Sequence, residues 1–315
     1  MTIDIRLYSG ELRLAWDSFV ATSKNGTFLF CRDYVEYHRD RFVDHSLVVF
    51  DGQRILALLP ANRVDDQLHS HGGLTYGGFI TSEAMTTQLM LQIFEAVSIY
   101  LRDAGIRSIH YKTIPSIYHS VPAEEDRYAL FIANASLYRR DVLSVVRMSR
   151  RPKLQERRRR GVAKAERAGV TVGESDDWVG YWSLLSGHLE SRFATKPVHS
   201  LQEIRYLKGA FPGNIALYTA SLGDELLAGV VIYFSTEVAH AQYIASSERG
   251  RELHALDWLF VHLLSHACGQ RSCFDFGISN EQQGRILNRG LIAQKEGFGG
   301  RAVAQDFYRI DLDTV

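Results

Sequence analysis

Two segments of the chain follow the same pattern. Ser46–Pro60 and Ile215–Val231 each consist of an apolar run, a glycine-containing turn and a second apolar run. Placing Gly52 on Gly223 also aligns an Ile/Leu-Leu-Ala stretch that follows each turn. This pattern is typical of a β-hairpin, so the sequence predicts one hairpin in each half of the chain.

The similarity continues downstream of each hairpin. A strand-like run comes first, a helix with apolar residues at about the 3.6-residue period follows, and another strand comes last. The strand-like runs are Leu74–Ile80 and Ala239–Ala245, and the helices are Thr86–Ala104 and Leu253–Ala267. The last strands are Ser108–Ile114 and Ser272–Ile278. We therefore predict an α/β (α+β) chain of two lobes related by duplication, residues 1–146 and 147–315. The alternative is coincidence, because β-meanders followed by helices are common.

Composition narrows the class of protein. Thirty-six Lys and Arg balance thirty-six Asp and Glu in 315 residues, so net charge gives no reason to expect nucleic acid or an anionic membrane as a partner. The sequence shows no apolar run of about 18 residues and no signal peptide at its N-terminus. Three cysteines without metal-binding spacing indicate free thiols, so we expect a cytoplasmic protein without a membrane span. Monomer and homodimer both stay open.

A basic segment, Arg147–Val170, lies between the halves. It holds ten Lys and Arg residues against Glu156 and Glu166. From Lys153 onward it favours a helix that ends near Gly169. Three interpretations stay open: a solvated helix, an edge that binds the phosphates of a nucleotide-linked ligand, and an arm for tRNA. The last is weaker because aromatic residues for base stacking are missing.

A glycine-containing turn leads from a predicted strand into a predicted helix at Ser246–Ala255. Free backbone N–H groups at a helix N-terminus bind phosphate well, and two arginines would add charge. We expect Ser247, Arg249, Gly250 and Arg251 to bind a phosphate-bearing ligand. A plain connection is the alternative.

Candidate catalytic groups lie on the strands around this turn. His240 and Gln242 alternate with alanines, so they should face together and away from Tyr243. Asp275 lies inside an apolar strand, where a carboxylate needs a partner or a function. We take His240 and Asp275 as candidates for catalysis and Tyr243 as a candidate for substrate binding.

A loop supplies a third candidate for catalysis. His199 follows a proline in a stretch that also holds Arg192 and Lys196. Such groups suit a site that contacts phosphate or donates a proton, so we assign Arg192 and Lys196 to substrate binding. The alternative for His199 is a structural place beside the Ser200 cap of the following helix.

Polar residues follow the strand Ser272–Ile278. Asn280 comes where α/β proteins commonly bind ligands. Asn288 and Lys295 are seven apart on a predicted helix and share a face. All three are candidates for binding a cofactor, Lys295 through phosphate.

The first half offers fewer candidates. His69 and His71 have a metal-binding spacing, but only Asp65 and Asp66 lie nearby as further ligands, and we expect no metal. Tyr76 lies between two glycine pairs and suits stacking on a base or sugar. A packed strand aromatic is the alternative.

Three motifs follow one another along the second half of the chain. They are the turn into a helix, the strand with Asp275-Phe276-Gly277, and the Lys295-Glu296-Gly297-Phe298-Gly299 element. Over about Arg192–Leu312 they resemble FemAB-related N-acyltransferases of the GNAT superfamily, and His71–Gly78 resembles the first lobe of that group. The resemblance implies two tandem GNAT-like lobes, each a mixed β-sheet flanked by helices and joined in a continuous sheet. It also implies that the pantetheine arm of acyl-CoA lies between two splayed strands.

The resemblance further implies an acyl-CoA-dependent N-acyltransferase, with coenzyme A carried by the co-substrate. Sugar N-acyltransferases of similar length suggest a nucleotide-linked amino sugar as acceptor, for surface polysaccharide. FemAB peptidyltransferases use aminoacyl-tRNA and carry a long helical arm, which this sequence lacks; they stay an alternative, as does a binding protein without turnover.

An acceptor amine with a pKa of about 8 is roughly 10% neutral at pH 7, so a general base is optional for the acyl transfer.

Overall fold

The first half of the chain alternates strands and helices in the computed structural model, which describes residues 2–313 apart from the side chains of Arg192 and Phe193. Its strands are β1 (Ile3–Leu7), β2 (Val43–Asp44), β3 (Leu47–Asp51), β4 (Arg54–Leu59), β5 (Asn62–Val64), β6 (Gln67–His69), β7 (Ile80–Thr81), β8 (Ser108–Lys112) and β9 (Ser136–Arg147). Its α-helices are α1 (Arg13–Thr22), α2 (Arg32–Glu36), α3 (Thr87–Asp103) and α4 (Glu125–Ile132).

The second half has longer strands. They are β10 (Thr171–Ser175), β11 (Ile215–Leu222), β12 (Glu225–Phe234), β13 (Val238–Ser246), β14 (Cys273–Ile278), β15 (Asn280–Glu281), β16 (Ile286–Leu287) and β17 (Arg301–Asp311). The helices are α5 (Glu156–Arg167), α6 (Trp178–Phe193), α7 (Leu201–Ala210), α8 (Glu248–Glu252), α9 (Ala255–His262) and α10 (Arg289–Gly297), and a π-helical turn, Leu263–Ala267, continues α9.

The chain divides into two compact units. The first unit comprises residues 2–141, 282–285 and 304–313, and the second comprises residues 142–281 and 286–303. This differs from the two uninterrupted ranges, 1–146 and 147–315, expected from the sequence. The reason is the last strand: from Phe307 to Asp311, β17 pairs with β8, which belongs to the first unit.

Each unit is built on its own strand order. In the first unit, β1, β3, β4 and β7 form a four-stranded sheet, and the order β17–β8–β6–β5–β2 forms a second ladder. In the second unit the order is β10–β11–β12–β13–β14–β9. The strand pairs within each unit are antiparallel, except that β6 and β8 are parallel in the first unit and β13 and β14 are parallel in the second. Both units therefore contain mixed sheets.

Helices cover the second unit on both faces. The α9 side is an apolar core in which Phe260 of α9 packs with Phe274 and Phe276 of β14. On the other face Tyr181 of α6 lies against Gly229, where a Cβ atom would be 2.5 Å from the ring. Glycine is therefore required at this point of β12, because helix and strand approach closely.

The two hairpins match in detail. Gly52 and Gly223 each stand in a two-residue turn with a positive φ, +61° and +58°, a conformation that glycine adopts without strain. Each hairpin also carries a bulge that skips one residue before alanine, Leu56 before Ala57 and Leu227 before Ala228. A shared turn and a shared bulge support the duplication predicted from the sequence.

The prediction of a strand at Leu74–Ile80 was wrong in extent. The part of the first unit that corresponds to β13 is divided into two short strands, β6 and β7. With Gly52 on Gly223, the pair Asn62–His69 corresponds to Tyr233–His240, and the pair Leu58–Ile80 corresponds to Gly229–Ala245. Ten residues follow His69 before Ile80, whereas four separate His240 from Ala245. The first unit therefore carries six extra residues at this point.

A buried carboxyl makes the first unit sensitive to pH. Tyr111 donates a hydrogen bond to Asp126 Oδ2 at 2.6 Å, and burial raises the pKa of Asp126 to about 6. The unfolded pKa is about 4, so this group stabilises the fold fully below about pH 4 and the contribution is lost as pH rises through 6, an effect on the order of 2–3 kcal/mol.

We expect Asp126→Asn to remove this part of the pH dependence. The measurement is the free energy of unfolding in urea between pH 4 and 7.5, and the exposed Asp103→Asn serves as control. Parallel profiles for the wild type and Asp126→Asn would contradict the assignment.

Candidate functional site

Two neighbouring strands of the second unit diverge. β13 and β14 pair in parallel at Val238–Cys273, Ala239–Phe274 and His240–Asp275. β13 then continues along β12 to Ser246, while β14 turns along β9 with a shift of register after Asp275. The sheet therefore opens between these strands from the level of His240 and Asp275 onward.

A histidine and a carboxylate stand where the opening begins. His240 Nδ1 lies 2.9 Å from Asp275 Oδ2, and the other oxygen, Oδ1, accepts the N–H of Gly277 at 2.8 Å. Asp275 is only 1% exposed, as expected of a carboxylate whose partners offset its burial. When the carboxylate accepts from Nδ1–H, Nε2 of His240 is left as a hydrogen-bond acceptor.

The predicted facing of His240 and Tyr243 was wrong. Tyr243 stands opposite Val231 and His240 opposite Tyr233, while Ala241 stands opposite Ile232, so Gln242 forms a bulge. Positions two apart on β12 share a face, so His240 and Tyr243 share one as well, at a spacing of roughly 7 Å. The bulge thus brings two candidate side chains onto the α6 side of the sheet.

Tyr243 holds the third candidate, His199. Its hydroxyl lies 2.5 Å from His199 Nδ1 and accepts the backbone N–H of His199 at 3.2 Å. Trp182 of α6 donates to the carbonyl of His199 and packs edge-on against Tyr243. Burial raises the pKa of Tyr243 to about 12, so the hydroxyl stays protonated at neutral pH.

The end of β14 is fixed by side chains that the sequence assigned to ligand binding. Lys295 donates to the carbonyls of Gly277 at 3.0 Å and Ile278 at 2.5 Å, and burial lowers its pKa to about 8. Asn280 accepts from the backbone of Val142, and Asn288 caps α10. These contacts favour structural roles for Asn280, Asn288 and Lys295 over the cofactor contacts expected from the sequence.

The turn into α8 has the predicted helix start. Ser247 caps the helix by accepting the N–H of Gly250 at 2.9 Å. Arg251 donates to the carbonyl of Ser246, and Arg249 forms an exposed ion pair with Glu225 at 2.6 Å. A guanidinium carries five donors, so both arginines keep donors for an anion beside the turn.

The remaining predicted residues are placed as follows. Tyr76, in the first unit, is buried; its hydroxyl lies 3.0 Å from Thr27 Oγ1 and its ring packs on Tyr118, which fits the alternative of a packed aromatic. Lys196 is exposed in the loop before α7, and the side chain of Arg192 lies outside the described part of the structure. Over residues 2–313, no group of three or more His, Cys, Asp or Glu is arranged to hold a metal.

The basic segment has two different faces. Arg158 points inward and pairs with Asp257 of α9 at 2.6 Å, and both side chains are buried. This pair was not predicted from the sequence. The spacing of Arg158, Gly161 and Ala165 was the available signal of an inward face. Four exposed cations form what we call the basic stripe, at positions i, i+3, i+7 and i+10 of α5: Arg157, Arg160, Lys164 and Arg167.

Comparison with known proteins bears on the fold. Residues 149–283 match a family model described as an acetyltransferase (GNAT) domain. The chain is similar to the crystal structure of FemX, with 12% identity, a TM-score of 0.67 and 96% of both chains covered. It is also similar to the C-terminal domain of a putative lysylphosphatidylglycerol synthetase from Agrobacterium fabrum, with 13% identity, a TM-score of 0.61, and 96% of this chain and 93% of that chain covered.

A tandem GNAT protein from the clavulanic acid biosynthesis pathway gives 12% identity and a TM-score of 0.55 over 99% of both chains. A search of curated proteins found no match. At these identities the similarity shows the fold, so the predicted class, an α/β chain of GNAT/FemAB-like fold, is confirmed. No described helix is long and apolar enough to cross a membrane.

Two helical glycines test how tightly the turn into α8 is packed. A Cβ atom at Gly250 would lie 2.2 Å from the carbonyl oxygen of Leu227, whereas nothing lies within 4 Å of one at Gly209 in α7. We expect Gly250→Ala to lower the free energy of unfolding by about 1–3 kcal/mol, and Gly209→Ala to raise it by about 0.5–1 kcal/mol. Denaturant titration measures both, and equal effects would contradict the packing described.

Proposed function

We propose that the protein is an N-acyltransferase that moves an acyl group from acyl-CoA to the amine of an acceptor, and that this reaction takes place in the second unit. The observation that carries the proposal is the divergence of β13 and β14 with the His240–Asp275 pair where it starts. A gap between strands leaves room for an extended arm such as pantetheine, and a thioester at its inner end would reach His240.

The second unit also offers a place for the anionic end of CoA. The capped turn at Ser247 follows directly on β13 and carries Arg249 and Arg251. Backbone N–H groups at a helix start and guanidinium groups both favour phosphate. We assign the CoA phosphates to this turn and the thioester to the level of His240.

The chemistry requires one bond to form and one to break. The amine nitrogen attacks the thioester carbonyl carbon, the C–S bond breaks, the nitrogen loses a proton and the sulfur gains one. We assign proton acceptance to Nε2 of His240, with Asp275 orienting the ring. Tyr243 shares the face of His240 and is the proposed hydrogen-bond donor to the substrate, with His199 holding it in place.

The acceptor in this proposal is a nucleotide-linked amino sugar, used for surface polysaccharide and acylated in the cytoplasm. Its support is the resemblance described from the sequence. The test is release of free thiol from a panel of acyl-CoA thioesters, each offered with amino-sugar nucleotides and with simple amines. Absence of thiol release and of thermal stabilisation by millimolar CoA would overturn the proposal.

Substitution of the His240–Asp275 pair tests the assigned roles. We expect His240→Gln to lower kcat about 100-fold and Asp275→Asn roughly tenfold, because general-base catalysis is worth about 10²–10⁴. KM for acyl-CoA should change less than about threefold, since neither group is assigned to CoA binding. The exposed His266→Gln is the control, and a wild-type kcat for His240→Gln would show that the amine needs no base.

A second candidate donor is aminoacyl-tRNA, and the basic stripe favours it. Its four cations follow one line along α5 and are exposed, and the helix beneath them is held by the Arg158–Asp257 pair. A line of cations suits the phosphates of a nucleic acid backbone. One similar structure is a domain of a putative lysylphosphatidylglycerol synthetase, which makes aminoacyl groups a relevant donor class.

Salt dependence distinguishes this candidate. If tRNA binds the stripe, Arg160→Gln with Lys164→Gln should reduce the slope of log K against log salt by roughly 1.4–1.8, because each lost phosphate contact removes about 0.7–0.9. Arg54→Gln with Arg107→Gln, an exposed pair in the first unit, should leave the slope unchanged. Fluorescence anisotropy with labelled tRNA measures it, and equal slopes in all three proteins, or no binding at low salt, would remove the candidate.

A further inference from the structure

The first unit contains a counterpart of the point where β13 and β14 diverge. β6 and β8 pair in parallel at Gln67–Ser108, Leu68–Ile109 and His69–His110, three pairs as in the second unit. Because Asn62–His69 corresponds to Tyr233–His240, His69 occupies the position of His240 and His110 that of Asp275. Both units therefore reach the same point in the same register.

Beyond this point the first unit is filled by its own backbone. Residues 70–79, which we call the plug, contain the six extra residues. Ser70 donates its N–H to the carbonyl of His110 at 2.9 Å and accepts the N–H of Lys112 on its hydroxyl at 2.7 Å. At the other end, Phe79 donates to the hydroxyl of Tyr111 at 2.8 Å. Tyr111 and Lys112 are the counterparts of Phe276 and Gly277, which border the opening in the second unit.

The plug is held tightly in this place. The ammonium of Lys112 donates to the carbonyls of His71 at 3.0 Å and Leu74 at 2.6 Å. A Cβ atom at Gly77 would lie 1.8 Å from the carbonyl oxygen of Ser70, and one at Gly78 would lie 2.7 Å from the hydroxyl of Tyr111. The glycines noted in the sequence thus allow the plug to pack against itself and against β8.

We propose that the plug closes the first unit to acyl donors, so that each chain binds one acyl-CoA, in the second unit. The proposal rests on the proposed function, because it concerns the place that acyl-CoA takes. It deepens that function by fixing the number and location of donor sites. It also gives residues 70–79 a role, because they fill the space between strands that acyl-CoA would take.

Calorimetry and hydrogen exchange with CoA test the number and the place of sites. We expect one equivalent bound per chain, with slower exchange at residues 241–246 and 276–279 and no change at residues 70–79. Two equivalents, or CoA-dependent protection at residues 70–79 or 108–112, would overturn the inference. Absence of any binding would overturn the proposed function itself, and the inference with it.

Loss of the Lys112 contacts tests whether the plug is held as described. In Lys112→Met, exchange of the plug amides should rise about tenfold or more, since charge-assisted hydrogen bonds to the carbonyls of His71, Gly72 and Leu74 are lost. Arg107→Met, an exposed change just before β8, should leave plug exchange as in the wild type. Unchanged plug exchange in Lys112→Met would show that Lys112 does not hold the plug.

Discussion

Two parallel strands that part after three pairs determine the polar chemistry of the second unit. Strand edges that lose their neighbour need other partners for buried N–H and C=O groups, because an unpaired group costs about 1–3 kcal/mol. At the end of β14 these partners are Asp275 for the N–H of Gly277 and Lys295 for the carbonyls of Gly277 and Ile278. The same carboxylate orients His240, so the groups that stabilise the open edge also shape the site.

The first unit meets the same constraint in a different way. Its strands part at His69 and His110, but the edge of β8 finds its partner in Ser70, whose N–H donates to the carbonyl of His110 and whose hydroxyl accepts the N–H of Lys112. In the first unit the chain that follows β6 lies against the edge of β8, whereas in the second unit the groups at the end of β14 are met by the side chains of Asp275 and Lys295. The difference between the units follows from how each open edge is paired.

Local features of the fold were predictable, and long-range features were not. The turn glycines Gly52 and Gly223 and the helix starts follow from local conformational preference, and a carboxylate in an apolar strand correctly indicated that Asp275 has a partner. The bulge at Gln242 has no local signal, because Tyr243, Ile244 and Ala245 after it are all apolar or aromatic, so the exchange of faces leaves no mark in the pattern. The contacts of Lys295 with β14 were not predictable, because the carbonyls to which it donates lie 17 and 18 residues away in sequence.

The two units differ at this point in the identity of their residues as well as in the length of the chain between the strands. His69 and His110 stack at 4.6 Å where the second unit has His240 and Asp275, and burial lowers the pKa of both imidazoles. Two neutral rings offer no carboxylate to fix a tautomer or to stabilise an imidazolium, so this pair lacks the acid–base capacity of a histidine–aspartate pair. Even without residues 70–79, the first unit would therefore lack a counterpart of Asp275. Closure of the strands and absence of the carboxylate coincide in the first unit, and both observations are consistent with our assignment of the proposed acyl transfer to the second.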